Sequence, residues 1–222
     1  MRDEDAGFRD PAAGSSASDG SHGERTPDGP LDARDDVALW RDLRAGDRDA
    51  FRALFLRHSD AVYNFGFRRT GSWGVADDVV QATFTALWRR VQDGTVDELE
   101  LPSARPVLFS MARNECGNQL RSVRRQAGLA DRIEAQPARP GTDDTDRWVT
   151  AEATMREIRR ALRVLPRNQR EVVELVAWSE LSLAEAGAVL GVPVGTVKSR
   201  LKRARDRLHR TPLAGLLYGS PE

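Results

Sequence analysis

Apolar residues recur at helical spacing along most of this chain, and no segment sustains the alternation of a strand. Val37, Leu39, Trp40 and Leu43 mark a first helix from Asp35, ended near Gly46. Ala50, Phe51, Leu54, Phe55, Ala61, Val62, Phe65 and Phe67 mark a second, with Asp47 placed to cap it. Gly71 to Gly74 form a turn, and a third helix follows over about 75–92 with Val80, Phe84, Leu87 and Val91 as its core stripe. Asp93-Gly94 and Pro102 bracket a loop before a fourth helix over about 106–125. Four more are expected over about 148–165, 167–179, 182–190 and 193–210. The pattern predicts an all-α protein with two small helical domains, 35–125 and 148–210. A flexible linker, 126–147, joins them where Gly, Pro, Gln, Asp and Thr replace the apolar residues. Residues 1–34 lack periodicity and are expected to be a disordered acidic tail, and 211–222 a C-terminal tail.

The last two predicted helices have the turn chemistry of a helix-turn-helix. Ser182 and Glu185 form a capping box, and Leu183, Ala186, Val189 and Leu190 follow at helical spacing. Gly191 ends that helix, and Pro193 suits the first turn of the next. Gly187 stands mid-helix, where glycine costs about 1 kcal/mol relative to alanine; close approach of the two helices explains it. In the second helix Val197, Leu201, Ala204 and Leu208 form the buried stripe. The opposite face carries Lys198, Arg200, Lys202, Arg203, Arg205, Arg207 and Arg210 against one acid, Asp206. A helix in the major groove reads bases with its N-terminal residues and holds phosphates with the rest. Thr196, Lys198, Ser199, Arg200, Lys202 and Arg203 are therefore the candidate duplex-reading residues.

Charge changes the picture by its distribution rather than its sum. The 34 basic and 34 acidic residues cancel, so no global field draws the chain to nucleic acid. Acids outnumber arginines in the first 36 residues, and the bases gather at the other end. A single cysteine, Cys116, excludes an intramolecular disulfide and a cysteine-based zinc site. The three histidines are scattered, so no metal and no cofactor is expected. No apolar run reaches membrane-spanning length and the N-terminus is unlike a signal peptide, so a cytoplasmic protein is expected. No nucleophile, base pair or metal set converges, so neither an enzyme nor a small-molecule substrate is expected.

A helix-turn-helix alone fits many regulators, and the helix over 75–92 discriminates among them. Asp77, Asp78, Gln81 and Trp88 fall largely on a face other than its core stripe. Acids near a helix N-terminus also serve its dipole, and a Trp at helical spacing serves a core as readily as a contact. On spacing alone the two readings stand level. The segment Asp77-Asp78-x-x-Gln81-x-x-Phe84-x-x-x-Trp88 resembles region 2.2 of the sigma-70 family of RNA polymerase sigma factors, in its short extracytoplasmic-function group. Phe109–Asn114 with Gln119–Arg125 resembles regions 2.3 and 2.4, and Leu165–Val173 with the helix-turn-helix resembles region 4. The resemblance covers about residues 36–210. Ala82 stands where the family often has an acid, Val107 where many members have Trp, and Ala186 where many have Ile.

The resemblance implies a factor that binds core RNA polymerase, at its β′ clamp and β flap, and gives it promoter specificity. Asp77, Asp78, Gln81, Phe84 and Trp88 are then the polymerase-binding candidates. The region 4 helix would read the −35 element as duplex. Region 2 would capture the −10 element as a melted strand through Asn114, Asn118, Arg121, Arg124 and Arg125. The loop near 101–105 would wall a pocket for a flipped base. Read without the family, Asn114 is an ordinary exposed helix amide. The resemblance also implies an anti-sigma partner. The alternative is a stand-alone helix-turn-helix transcriptional regulator, which leaves the Asp77–Trp88 helix unexplained.

Overall fold

The computed structural model describes residues 33–130 and 143–210. Among them the chain is all helical, with eight α-helices. The first four are α1 (Asp36–Arg44), α2 (Arg48–Thr70), α3 (Trp73–Gln92) and α4 (Arg105–Ala130). The last four are α5 (Asp143–Ala161), α6 (Arg167–Val173), α7 (Leu183–Leu190) and α8 (Val194–Leu208). No helix among the described residues is long and apolar enough to cross a membrane.

Caps explain the boundaries, three of them the expected Asp47, Ser182–Glu185 and Gly191. Asp35 accepts from Ala38 N–H to start α1, and Asp47 accepts from Asp49 and Ala50 N–H to start α2. Gly71 and Gly191 end α2 and α7 in the left-handed region, at φ 75° and 63°. Ser182 and Glu185 form the complete capping box. Pro193 precedes α8 as its cap residue rather than lying in its first turn.

α2, α3 and α4 pack together under α1, around Leu39, Leu43, Leu54, Val62, Leu87, Leu108 and Phe109. Val197, Ala204 and Leu208 of α8 are buried against α6 and α7, with Leu201 half-buried. A Cβ on Gly187 would lie 2.9 Å from the carbonyl oxygen of Val192. The tightest approach is therefore to the turn's backbone, with Val194 and Val197 of α8 in ordinary contact at 3.9 and 3.8 Å. Gly187→Ala is expected to lower stability. Overpacking against a backbone atom costs about 1–3 kcal/mol, which outweighs the roughly 1 kcal/mol that alanine regains in a helix. Thermal melting checks this; an unchanged or raised Tm would mean that the turn yields.

Three boundaries differ from the sequence expectation. α4 runs to Ala130 and α5 begins at Asp143, so both margins of the expected linker are helical. Residues 126–130 and 143–147 lack apolar periodicity, but Gln126, Ala127, Leu129 and Ala130 favour helix at the first margin and acids suit the N-terminal turn at the second. Residues 131–142 lie outside the described residues, as do 1–32 and 211–222, on which the tail expectations fall. Arg34, expected in the tail, instead pairs with Asp42 at 2.6 Å, and its carbonyl accepts from Arg57. Residues 174–178 continue α6 as one π-helical turn, which the sequence does not signal.

The two expected modules pack into one unit. α7 lies against α4, and the π turn lies against α2. Val172, Leu175, Leu181, Ala186 and Val189 share a continuous core with the first four helices.

Candidate nucleic-acid interface

The recognition helix α8 turns its charge outward. Lys198, Lys202, Arg203, Arg205, Arg207 and Arg210 are exposed, while Thr196, Ser199 and Arg200 are half-buried. The Ser199 hydroxyl donates to the Thr196 carbonyl at 3.0 Å. Val194 precedes them in the first turn as an exposed apolar residue that the sequence reading did not single out.

A second candidate surface begins at a cleft of about 250 Å³. Its walls include Trp40, Leu87, Leu99, Leu101, Val107 and Ala188. The residues from 96 to 103 frame one side, adjoining the expected 101–105 wall. Val107 and Ser110 of α4 line the cleft, and helical spacing continues that stripe through exposed Asn114, Asn118, Arg121 and Arg125. Asn118 donates to Glu115 at 3.0 Å and accepts from Arg121 at 2.6 Å, so this part of the stripe is tied together. The side chain of Arg124 lies outside the described residues. Ala188, on α7, borders the cleft from the other module, a placement with no sequence signal.

On α3, Asp77, Asp78 and Gln81 are exposed. Asp78 and Gln81 border a polar trough that Arg89 of α3 and Glu115 and Gln119 of α4 complete. Glu115 and Gln119 were missed because their partnership with α3 is tertiary. Phe84 must be withdrawn from the contact candidates: it is 3 % exposed, its ring 4.9 Å from Phe55 and 6.2 Å from Phe51. An amphipathic helix spends such a residue on its core stripe. Trp88 does both, half-buried against Phe51 at 5.1 Å.

Between the modules lies a cluster of opposite charges. Glu171 accepts from Arg113 of α4 at 3.1 Å and from Arg167 at 3.1 Å, and lies 3.5 Å from Arg69 of α2. Glu174 pairs with Arg69 at 2.5 Å. Arg68 donates to the Trp178 carbonyl, and Arg105 to the carbonyl of Ser179. These arginines cap the C-terminal end of the helix, where the dipole favours cations. Burial alone would raise both carboxyls. For Glu171 the nearby Arg113, Arg167 and Arg69 overcome burial and hold it below the ordinary value. For Glu174 burial prevails over Arg69 and Arg170, and its carboxyl is raised.

Cys116 lies beneath this cluster, fully buried, and burial pushes its thiol up to about 12. Thiolate is the reactive form, so native Cys116 is expected to resist maleimide at neutral pH and to react fully in denaturant. Fast native labelling would contradict its burial.

Residues 54–126 match the family model described as Sigma-70 region 2, and residues 155–208 that described as Sigma-70, region 4. The chain is 32 % identical to the RNA polymerase sigma factor NccH of Alcaligenes xylosoxydans xylosoxydans, over 78 % of this chain and 92 % of that one. It is 34 % identical to the ECF RNA polymerase sigma factor EcfG of Rhodopseudomonas palustris, over 77 % and 86 %. Among solved structures it resembles CnrH in complex with the cytosolic domain of CnrY. The TM-score is 0.57 and the identity 27 %, covering 78 % of this chain and 94 % of that one.

Proposed function

The chain belongs to the sigma-70 family of RNA polymerase sigma factors, in its extracytoplasmic-function group, and from that premise we propose the residues by which it works. It binds core RNA polymerase and directs promoter recognition in transcription initiation, and acts there as a non-enzymatic cytoplasmic factor. Residues 35–125 form the module for polymerase and the −10 element, and 148–210 the module for −35. Asp77, Asp78, Gln81 and the exposed edge of Trp88 meet the β′ clamp. Arg89, Glu115 and Gln119 extend that surface. Ala82 borders the trough as a methyl group, so the polar contact made there by family members with an acid is absent.

Lys198, Lys202 and Arg203, with Thr196, Ser199 and Arg200 beside them, engage the −35 duplex. The melted −10 strand follows α4 from the cleft, with a flipped base held among the loop residues. Asn114 and Asn118 offer amide donors and acceptors, and Arg121, Arg124 and Arg125 pair phosphates. The observation that carries this reading is the unbroken stripe from Val107 and Ser110 in the cleft to Asn114 and Asn118 outside it. A solved relative holds a partner's cytosolic domain, and an anti-sigma partner of that kind is proposed here.

Reconstituted transcription tests the reading: core polymerase with and without this protein on host genomic DNA, with start sites mapped. The expected result is new starts that share two spaced upstream elements. Absence of new starts, with tight duplex binding by the protein alone as a dimer, would favour the stand-alone regulator.

A further inference from the structure

The cleft owes one wall to an irregular loop, residues 95–104, whose conformation is fixed largely from outside it. Thr95 is clasped by the end of α3: its N–H donates to the Arg90 carbonyl at 2.9 Å, and Arg90 donates to the Thr95 carbonyl at 3.0 Å. The next three ties come from α1. Arg44 Nε–H donates to the Val96 carbonyl at 3.0 Å, and Trp40 Nε1–H donates to the Asp97 carbonyl at 2.9 Å. At the far end, Ala104 N–H donates to Asp36 Oδ2 at 2.8 Å. α1 thus grips backbone atoms at both ends of the loop, while Leu99, Leu101 and Ser103 between them face the cleft.

The third tie is itself held in place. Asp36 is 8 % exposed and lies 3.0 Å from His58 Nε2, while Arg57 Nη1 donates to it at 2.8 Å. Burial would raise this carboxyl, but the bonds from His58, Ala104 N–H and Arg57 hold it well below the ordinary carboxylate range. An ionised Asp36 at the N-terminus of α4 also suits the helix dipole. Burial makes these bonds expensive to leave unmade, so the far end of the loop is fixed firmly. The near end is lighter. Arg44 is about one-third exposed, its pairing with exposed Glu98 is worth little, and its grip rests on the Val96 carbonyl.

We propose that α1 is the positioning element of the base-reading loop, with Arg44, Trp40 and Asp36 setting −10 specificity by fixing the backbone of residues 96, 97 and 104. The proposal rests on the reading of the cleft as the −10 base site. A site that must hold one base and reject others needs its walls placed to a fraction of an ångström. A loop with little regular structure of its own gains that placement from the helix that grips it. Arg44 then acts through the loop and is a positioning residue; it need not touch DNA.

The test uses holoenzyme reconstituted with full-length Arg44→Ala, Trp40→Phe and Leu101→Ala. Trp40→Phe keeps a ring in the core and removes the N–H donor. Leu101→Ala alters the cleft directly. The readout is the ratio of transcription from a mapped promoter to that from the same promoter with single −10 substitutions. A good base contact discriminates by roughly five- to a hundred-fold. Arg44→Ala and Trp40→Phe are expected to lower the ratio about five-fold or more. Core affinity and the response to −35 substitutions should remain those of the parent, and Arg44→Lys should recover part of the ratio. A merely structural role would instead lower the Tm of Arg44→Ala and leave the ratio unmoved. If Leu101→Ala lowers the ratio and both α1 variants leave it unchanged, α1 is not the positioning element and the cleft reading stands. If Leu101→Ala also leaves it unchanged, the cleft is not the −10 base site and both readings fall.

Discussion

Replacing Lys198, Lys202 and Arg203 together by alanine is expected to reduce transcription from a −35-dependent promoter by about a hundred-fold or more. A side chain that reads a base edge contributes about 1–3 kcal/mol, and each 1.4 kcal/mol is about tenfold in affinity. At the middle of that range, about 2 kcal/mol each, two such losses already exceed two decades, so the expectation holds if one of the residues only holds phosphate. The fold should survive, because all three are exposed and the stripe that holds α8 is Val197, Ala204 and Leu208. The single variants separate the roles. One that loses a phosphate contact weakens all duplexes alike and lowers the salt slope by about 0.9. One that loses a base contact relaxes specificity at one −35 position and leaves the slope nearly unchanged. Unchanged −35-dependent transcription from the triple variant, with parental core affinity, would remove α8 from the duplex interface.

That helix was legible because its evidence is local. The Ser182–Glu185 capping box, Gly191 and the 197–201–204–208 stripe each lie within a few residues of what they determine. The cleft was legible only in part, since the sequence indicates a loop after Gly94 but not which helix grips it. Trp40 and Asp97 are far apart in the chain, and neither an indole nor a carbonyl announces its partner. The same limit hid the packing between modules. Arg69 and Arg113 are written like any exposed arginine on an amphipathic helix, and Glu171 and Glu174 like any acid. Their burial against one another follows from tertiary placement alone. Phe84 failed in the opposite direction. A motif placed it among contact residues, while the stripe of Val80, Leu87 and Val91 already required it inside.

The packing between modules carries the last prediction. Promoter elements centred near −10 and −35 lie about 80 Å apart along B-form duplex, at ~3.4 Å per base pair. A compact unit of about 170 residues has a radius of gyration of only about 15 Å. One closed unit cannot reach both elements, and α7 places Ala188 on the wall of the cleft that the −10 strand would enter. Opening is therefore part of the working cycle, and the charge cluster and the apolar core shared between the modules set its cost together. Two features lower that cost. Arg69 Nε and Arg113 Nε are buried without an acceptor, and a buried donor left unpaired costs about 1–3 kcal/mol.

The two acids in the cluster should then behave differently. Glu171 is held below its ordinary value, so its ionised form favours closure. That contribution is fully present above the ordinary glutamate value of about 4.3 and is lost as pH falls below it. Glu174 is raised, so burying its charge costs more than Arg69 returns. Glu171→Gln is expected to raise the open population about tenfold, from the loss of one charge-assisted pairing of about 1.5 kcal/mol. Glu174→Gln is expected to leave closure unchanged or tighter. Because Cys116 is buried and inert, cysteines placed at exposed Gln92 and Arg207 would take dyes selectively, and energy transfer between them reports the separation. Affinity for a −10 single strand should rise with the open fraction, since a partly populated competent state weakens apparent binding by that fraction. Equal behaviour of the two glutamine variants would show that charge at this junction does not govern opening.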